Sequence, residues 1–350
     1  MKSLAVQYRP KTFEDVLGQD AVKIILKQQL ESGNIHSAML FCGPSGDGKT
    51  TTARIFANEL NKGQGVPIEM DAASHNGVED VRDMIKMAST KAVDAEYKVI
   101  IVDECHMITP QGWAAFLKCI EEPPAKVVFI FCTTDPQKIP ATILSRVQRF
   151  QFQKVSTKGI VDRLKYILSK EFEEIGSTHG IQWEDDAVEY IAKLADGGVR
   201  LAIQYMEKCL AYSIDLTVSN VVKALNVVNY DDYIGITNLL HDPSDRASLI
   251  TRLDEIYASG VDFKQFLKQY VSFILDVNKT LILDDLDDAF KCINLPRTSE
   301  IETWLTSILE SGDLKFFNKL LSHLVKLDVD VKYSQSVKVD IECGLLLFEV

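Results

Sequence analysis

The stretch that begins at residue 38 constrains this chain more than any other. The apolar run AMLFC leads directly into Gly43-Pro44-Ser45-Gly46-Asp47-Gly48-Lys49-Thr50, and Thr51 continues into a helix-forming segment. This is the pattern G-x-x-x-x-G-K-[ST], with the strand before it and the helix after it that a P-loop requires. The glycines let the backbone curl so that successive N–H groups face inward, and the positive end of the following helix adds to their pull on anions. Lys49 supplies a mobile charge for the β- and γ-phosphates, and the Thr50 hydroxyl is a hard-oxygen ligand suited to Mg²⁺. The stretch therefore implies a bound nucleoside triphosphate. Asp47 is the uncomfortable residue, because a carboxylate inside a phosphate cradle repels its ligand. Its side chain is expected to face away from the phosphates, and a carboxylate turned into the cradle would count against an ATP-competent loop.

The chain has 350 residues, enough for two or three domains with proper cores. A net charge of −12 excludes nucleic-acid binding through the overall field, so any such contact needs a local patch. The seven cysteines form no C-x-x-C pair, so no zinc is expected, and their scattered placing points to a reducing compartment. Cys42 and Cys132 end apolar runs and read as small core residues. The N-terminus has no apolar h-region, and runs such as VVFIFC are too short to span a bilayer. A cytoplasmic protein without a membrane partner is expected.

Residues 1–20 read as an extended lead-in, and 20–32 as a helix with Ile24, Ile25 and Leu30 on its apolar side, ended by Gly33. After the P-loop helix, NKGQGVP is a loop and 78–93 a helix. Lys98–Glu104 is a buried strand ending in two carboxylates, and 110–121 is a helix with Pro110 in its first turn. A buried strand at 126–132 runs into Thr133-Thr134-Asp135, and 150–152 is a last short strand. This alternation predicts an α/β domain with a parallel sheet covered by helices on both faces. From about residue 155 only helical patterns remain, at 158–174, 185–196, 198–213 and 217–226, and then at 231–241, 245–258, 262–283, 299–310, 312–327 and 336–349. The expected division is a nucleotide-binding domain over 1–154, a small helical domain over 155–229 and an all-α module over 230–350.

An acid that ends a strand beside a P-loop holds Mg²⁺, which is the role expected for Asp103. The next carboxylate, Glu104, is placed to act as general base toward an attacking water. His106 completes the letters D-E-C-H, but no other helicase motif follows, and a packing or polar-linking role is expected. Thr134 lies where a hydroxyl can sense the γ-phosphate, although a turn with a helix cap explains the same letters. Arg146, in LSRVQRF, is open to two readings: a surface salt bridge, or a cation that reaches a neighbouring subunit's nucleotide. Arg200, after Gly197-Gly198, either reaches back to the phosphates or is a solvated helix charge.

These residues carry a resemblance. YRPKTFEDVLGQD, the P-loop, DAASHNGVEDVR, VDECHMIT, AFLKCIEEPP, TTDPQKIPATILSR and GGVRLAI occur in the order typical of clamp-loader AAA+ ATPases. The match is nearest to gamma/tau-type subunits of bacterial DNA polymerase III, with replication factor C small subunits next, and it covers about residues 7–205. The resemblance implies a AAA+ domain followed by a helical lid and an all-α collar. It implies an ATP- and Mg²⁺-using subunit of a machine, pentameric with other loader subunits, that opens a sliding clamp and places it on primer–template DNA in a bacterial cytoplasm, or a bacterial host's if the source is viral. Carried over by motif, Lys49 and Thr50 hold phosphate and Mg²⁺ within the loop Gly43, Pro44, Ser45, Gly46, Asp47, Gly48 and Thr51, and Asp103 holds Mg²⁺. Glu104 is then the base, Thr134 the first sensor, Arg146 the arginine finger in trans and Arg200 the second sensor. Tyr8, Arg9, Val16 and Gly18 line the adenine pocket. DNA backbone contacts fall at Asn76, Gly77, Arg82, Thr109 and Gln111; for Arg82 a helix ion pair is the competing reading. Val147 replaces the usual cysteine after Ser145-Arg146. The four-cysteine zinc insertion is absent, and the chain ends where a polymerase- and helicase-binding extension would begin. Another AAA+ DNA motor, such as a branch-migration motor or helicase loader, and a non-hydrolysing structural subunit are the alternatives.

Overall fold

A computed structural model describes the chain except residues 1–2, 91–93, 176–181, 226–229, 243, 333 and 350, and except the side chains of 172–175. Two compact units are present, Met1–Ile175 with Leu194–Glu207, and Gly176–Lys193 with Lys208–Val350.

The first unit opens with a short helix α1 (Leu4–Gln7), where an extended lead-in was expected, and α2 (Asp20–Ser32). There follow β1 (Ala38–Cys42), α3 (Lys49–Leu60), β2 (Ile68–Asp71), α4 (Val78–Ser89), β3 (Lys98–Asp103), α5 (Pro110–Glu121), β4 (Val127–Thr133), α6 (Ala141–Leu144), β5 (Gln148–Gln151) and α7 (Thr157–Ile175). The sheet order is β2-β3-β4-β1-β5 and every pairing is parallel. Strand β2 escaped the sequence reading because IEMD alternates half-buried and exposed positions at a sheet edge and carries two acids.

The central strands are buried on both faces, as their unbroken apolar runs require. Leu40, Ile100, Phe129 and Phe131 face Trp113, Phe116 and Met84 of α4 and α5. Met39, Phe41, Ile101 and Ile130 face Leu26, Ala53 and Phe56 of α2 and α3. The helical spacing at 20–32 was right, and Leu30 packs against the core as expected, but Ile24 and Ile25 do not. Val22 and Leu26 enter the core, whereas Ile24 and Ile25 are 56% and 40% exposed. Pairing of Cys42 with Thr133 and of Asp71 with Asp103 brings the strand C-termini level, and a ligand crevice belongs at that edge.

Two strands of two residues each, β6 (Gln182–Trp183) and β7 (Asp215–Leu216), pair in parallel in the second unit, where no strand was expected. Helices α8 (Asp185–Leu194), α9 (Val199–Tyr212) and α10 (Val218–Leu225) surround these residues in the chain, and α9 begins in the first unit. Then come α11 (Tyr230–His241), α12 (Arg246–Ala258), α13 (Phe263–Leu283), α14 (Leu286–Cys292), α15 (Ser299–Ser311), α16 (Leu314–Val331) and α17 (Val337–Leu346). The core of these helices gathers Tyr233, Phe266, Tyr270, Phe273, Phe317 and Leu324 around the long α13. Buried Asp276 of α13 is satisfied by Asn294 N at 2.8 Å and Lys279 Nζ at 2.8 Å, which ties the segment after α14 to α13. Helix α14 is short and rich in aspartate, which hid its pattern from the sequence reading. Among the described residues, no helix is long and apolar enough to cross a membrane.

Phe131 packs against Trp113 and Phe116 with ring centroids 5.4 Å apart in both pairs. Replacing it with alanine is expected to destabilise the first unit by about 3–5 kcal/mol, whereas Ile24→Ser should change stability by less than about 0.5 kcal/mol. Urea unfolding of the full chain, followed through fluorescence of Trp113 with Trp183 and Trp304 replaced by phenylalanine in parent and variants alike, measures both.

Candidate nucleotide-binding site

One cleft at the C-terminal edge of the sheet gathers most of the residues singled out in the sequence. Ser45 to Thr51 form its floor, Asp103, Glu104 and Thr134 one wall, and Tyr8, Arg9 and Val16 another, with Arg200 at its rim. The cleft lies wholly within the first unit. The P-loop follows β1, and Gly46 and Gly48 take left-handed φ values of 82° and 96° that only glycine adopts without strain. Gly46 also sits under the backbone of Gly198 and Arg200, which fixes the start of α9 against the loop.

Lys49 is 7% exposed and its ammonium is fully engaged, with Gly43 O at 2.8 Å, Pro44 O at 2.6 Å and Asp47 Oδ1 at 3.0 Å. Gly43 and Pro44 thus stand outside the cleft lining and act on it through Lys49. Gly18, expected beside the base, also stands outside it, at a left-handed turn (φ 60°) before α2.

Asp47 overturns the expectation set for it. Its side chain does not face away but is buried inside the loop, 3% exposed, on Lys49, a placement that counts against ATP binding by the loop in this conformation. The physical reason is the buried ammonium, which needs a counter-charge in a low-dielectric site. Burial pushes the Asp47 carboxyl above its ordinary value against the opposing pull of Lys49.

The two carboxylates at the end of β3 take separate partners. Asp103 Oδ2 accepts from Thr50 Oγ1 at 2.8 Å, while Glu104 Oε2 accepts from Thr134 Oγ1 at 3.2 Å. Glu104 has a left-handed backbone, φ 46°, unusual for a side-chain-bearing residue, and this turn separates two successive carboxylates. His106 Nδ1 lies 3.2 Å from Thr133 Oγ1 and 3.3 Å from Glu104 Oε2, a polar link between the ends of β3 and β4.

Oxygen donors from Thr50 and Asp103, beside the phosphate loop, suit Mg²⁺, which takes one or two protein ligands and fills its octahedron with water and phosphate. Among the described residues no group of three or more His, Cys, Asp or Glu is arranged to hold a metal alone. Cys42, Cys105 and Cys132 are fully buried. Burial pushes the Cys105 and Cys132 thiols well above their ordinary value, so these are core residues rather than nucleophiles.

Arg146 lies outside the cleft lining. Its Nε donates to Glu121 Oε1 at 2.7 Å and its Nη1 to Thr142 O at 2.7 Å. The residues singled out for DNA lie elsewhere as well, where the N-termini of α4 and α5 meet through a bond from Thr109 N to Asn76 O of 3.2 Å. Thr109 caps α5 by accepting from Gly112 N, and Gly77 N donates to Asp80. Arg82 and Gln111 are exposed, and Arg82 has no ion pair among the described residues.

Among the lining residues that sequence reasoning missed are Arg163, Val199 and Ile203. Arg163 Nη2 donates to Tyr8 O at 2.7 Å, and the Tyr8 hydroxyl donates to Glu171 Oε1, so α7 fixes the N-terminal segment that forms one wall. No local spacing marks these residues, because their role arises from distant segments folding together.

Phosphate loop, strand-end carboxylates and threonine, parallel sheet and following helical segments together define a P-loop domain of the AAA+ class. A family model described as DNA polymerase III, delta subunit, matches residues 64–156. The chain is 35% identical over 293 residues to DNA polymerase III subunit tau of Bacillus subtilis, which covers 77% of this chain and 50% of that protein. It is 31% identical over 308 residues to the gamma/tau subunit of Mycobacterium tuberculosis, covering 81% and 51%, and 31% identical to the tau subunit of Escherichia coli, covering 77% and 44%. The chain therefore spans about half the length of the curated relatives it matches. A solved structure of the RuvB Holliday junction branch migration motor of Thermotoga maritima superposes with a TM-score of 0.50 at 22% identity, covering 73% of this chain and 86% of that one, a likeness of fold alone. Over more than three quarters of its length the chain is similar to gamma/tau subunits of DNA polymerase III, and its cleft is the candidate nucleotide-binding site.

Lys49→Ala removes the charge-assisted bonds that the loop offers a phosphate, worth about 1.5–3 kcal/mol, and is expected to weaken ATP binding roughly tenfold to a hundredfold. Calorimetric titration measures the change.

Proposed function

We propose that this chain is an ATP-hydrolysing subunit of a sliding-clamp loader, acting with other loader subunits in a bacterial or virally infected cytoplasm. In this reading ATP binding and hydrolysis open a ring-shaped clamp and release it on primer–template DNA. The observation that carries the reading is the paired arrangement at the strand ends, Thr50 with Asp103 and Thr134 with Glu104, beside the phosphate loop. Tyr8, Arg9 and Val16 form the wall for the base, Lys49 binds phosphate, and Thr50 and Asp103 hold Mg²⁺. An Mg²⁺ held by Thr50 and Asp103 would supply neutralisation of the polyphosphate charge. Glu104 takes a proton from the attacking water, with Thr134 holding its carboxylate in place and sensing the γ-phosphate. Arg200, at the rim, is the cation from the same chain.

Arg146 serves the neighbouring subunit's site. In the isolated chain its guanidinium is held by Glu121, and assembly exchanges that partner for a phosphate across the seam. Residues 155–229 act as the lid and 230–350 as the collar. The paired N-termini of α4 and α5 hold DNA phosphates through backbone N–H groups, with Arg82 and Gln111 beside them. Such a site needs no basic surface overall, which suits a chain of net charge −12.

The deciding experiment is an ATPase assay on the reconstituted complex with and without clamp and primer–template DNA. Stimulation that requires both is the expected result; hydrolysis indifferent to the clamp would refute clamp loading. Glu104→Gln should lower the turnover roughly 10²–10⁴-fold while ATP still binds. Arg146→Ala should lower it by about 10³–10⁵-fold in the assembly and leave the isolated chain's ATP affinity unchanged. Full stimulated hydrolysis by Arg146→Ala would rule out the finger in trans.

Arg82→Ala should weaken DNA binding by the assembly equally across sequences and reduce the slope of log K against log salt by about one. Fluorescence anisotropy at several salt concentrations tests this, and an unchanged slope would rule out a phosphate contact by Arg82.

A further inference from the structure

The ammonium of a lysine has three N–H donors. Those of Lys49 are matched by three acceptors within its own loop, the carbonyls of Gly43 and Pro44 and the carboxylate of Asp47. A phosphate arriving at this loop meets a cation with no donor free and its charge already balanced. The carboxylate is deeply seated. Asp47 Oδ2 is shielded from water and has no hydrogen-bond partner, and it lies so close to Gly43 that a Cβ at that position would collide with it and with Phe152 O. An unpartnered buried carboxylate oxygen is costly. The loop therefore holds Asp47 chiefly through the neighbouring ammonium, with backbone N–H groups of the loop assisting.

We propose that Asp47 is an internal stand-in for a nucleotide phosphate, and that it sets the affinity of the site for di- and triphosphates. ATP must separate Lys49 from Asp47 before the β- and γ-phosphates reach the ammonium, so binding is an exchange of anions. Freed from Lys49, the Asp47 side chain leaves the loop interior, where it would otherwise face the polyphosphate. This inference rests on the nucleotide-site reading and adds to it a residue that weakens binding on purpose. A nucleotide that carries only the α-phosphate has no need of Lys49 and is not subject to the exchange.

The test is calorimetric titration of the full chain and its Asp47→Asn variant with ATP, ADP and AMP. Asparagine keeps the shape and removes the charge. ATP and ADP affinities are expected to rise at least about tenfold, equivalent to about 1.4 kcal/mol, while AMP affinity stays within about twofold. Asp47→Ser, which also withdraws the carboxylate from Gly43, should show the same selectivity, and it replaces the asparagine variant if thermal melting shows that one to be misfolded. Equal ATP affinities for the parent and both variants would overturn the inference and leave the nucleotide site standing. A parallel change for ATP and AMP, or weaker ATP binding in the variants, would make Asp47 a structural support of the loop and also overturn it. Failure of parent and variants alike to bind ATP would reject the nucleotide-site reading, and the inference with it.

Discussion

The site depends on one buried cation. Lys49 is drawn under the phosphate loop, where its ammonium joins the carbonyls of Gly43 and Pro44, just after β1, and the Asp47 carboxylate. A charge removed from water must be surrounded by acceptors, and three suffice for an ammonium. The curl of the loop follows from that requirement, and Gly46 and Gly48 supply the backbone conformations it needs. The parallel register then brings the ends of β3 and β4 beside the loop without any further device. Chemistry at this edge is a consequence of strand pairing, and the side chains at three consecutive strand ends are those with a part to play.

The chemistry was more legible in the sequence than the packing. The phosphate loop and the strand ending in Asp103-Glu104 are read locally, because each needs particular residues at neighbouring positions. Continuous apolar runs likewise revealed the buried strands. Failures came where burial depends on a partner far along the chain. Ile24 and Ile25 fit a helical stripe as well as Val22 and Leu26 do, and only the position of the sheet decides which pair is covered. Strand β2 forms because β3 offers it an edge, not because IEMD prefers the extended state. Arg163 reaches the cleft through its bond to Tyr8 O, a pairing that no spacing encodes. Asp47 was misread for a different reason. Its charge was weighed against an absent phosphate, whereas in the free loop the nearest charge is Lys49.

Arg146 shows how a surface ion pair and a functional cation coexist in one residue. Its bond to Glu121 joins the turn after α6 to the end of α5, and both groups are substantially exposed. An exposed pair contributes about 0.2–1 kcal/mol, so releasing it costs little. The guanidinium is thus held in a defined place without being held strongly, which suits a group whose proposed partner arrives only on assembly.

The same logic extends to three of the polar groups proposed for the nucleotide. Lys49 has Asp47, Thr50 has Asp103, and Thr134 has Glu104. In the free protein these three side chains are held by residues of the site itself, so a ligand that engages them exchanges partners. The free energy of binding is then a difference between two sets of hydrogen bonds, smaller than either set. Such a site senses which phosphates are present more sharply than it holds any one of them. Loss of a phosphate returns a group to an internal partner that already lies within hydrogen-bond reach. That property suits the proposed cycle of binding, hydrolysis and release, and it requires no movement of the strands that carry the groups.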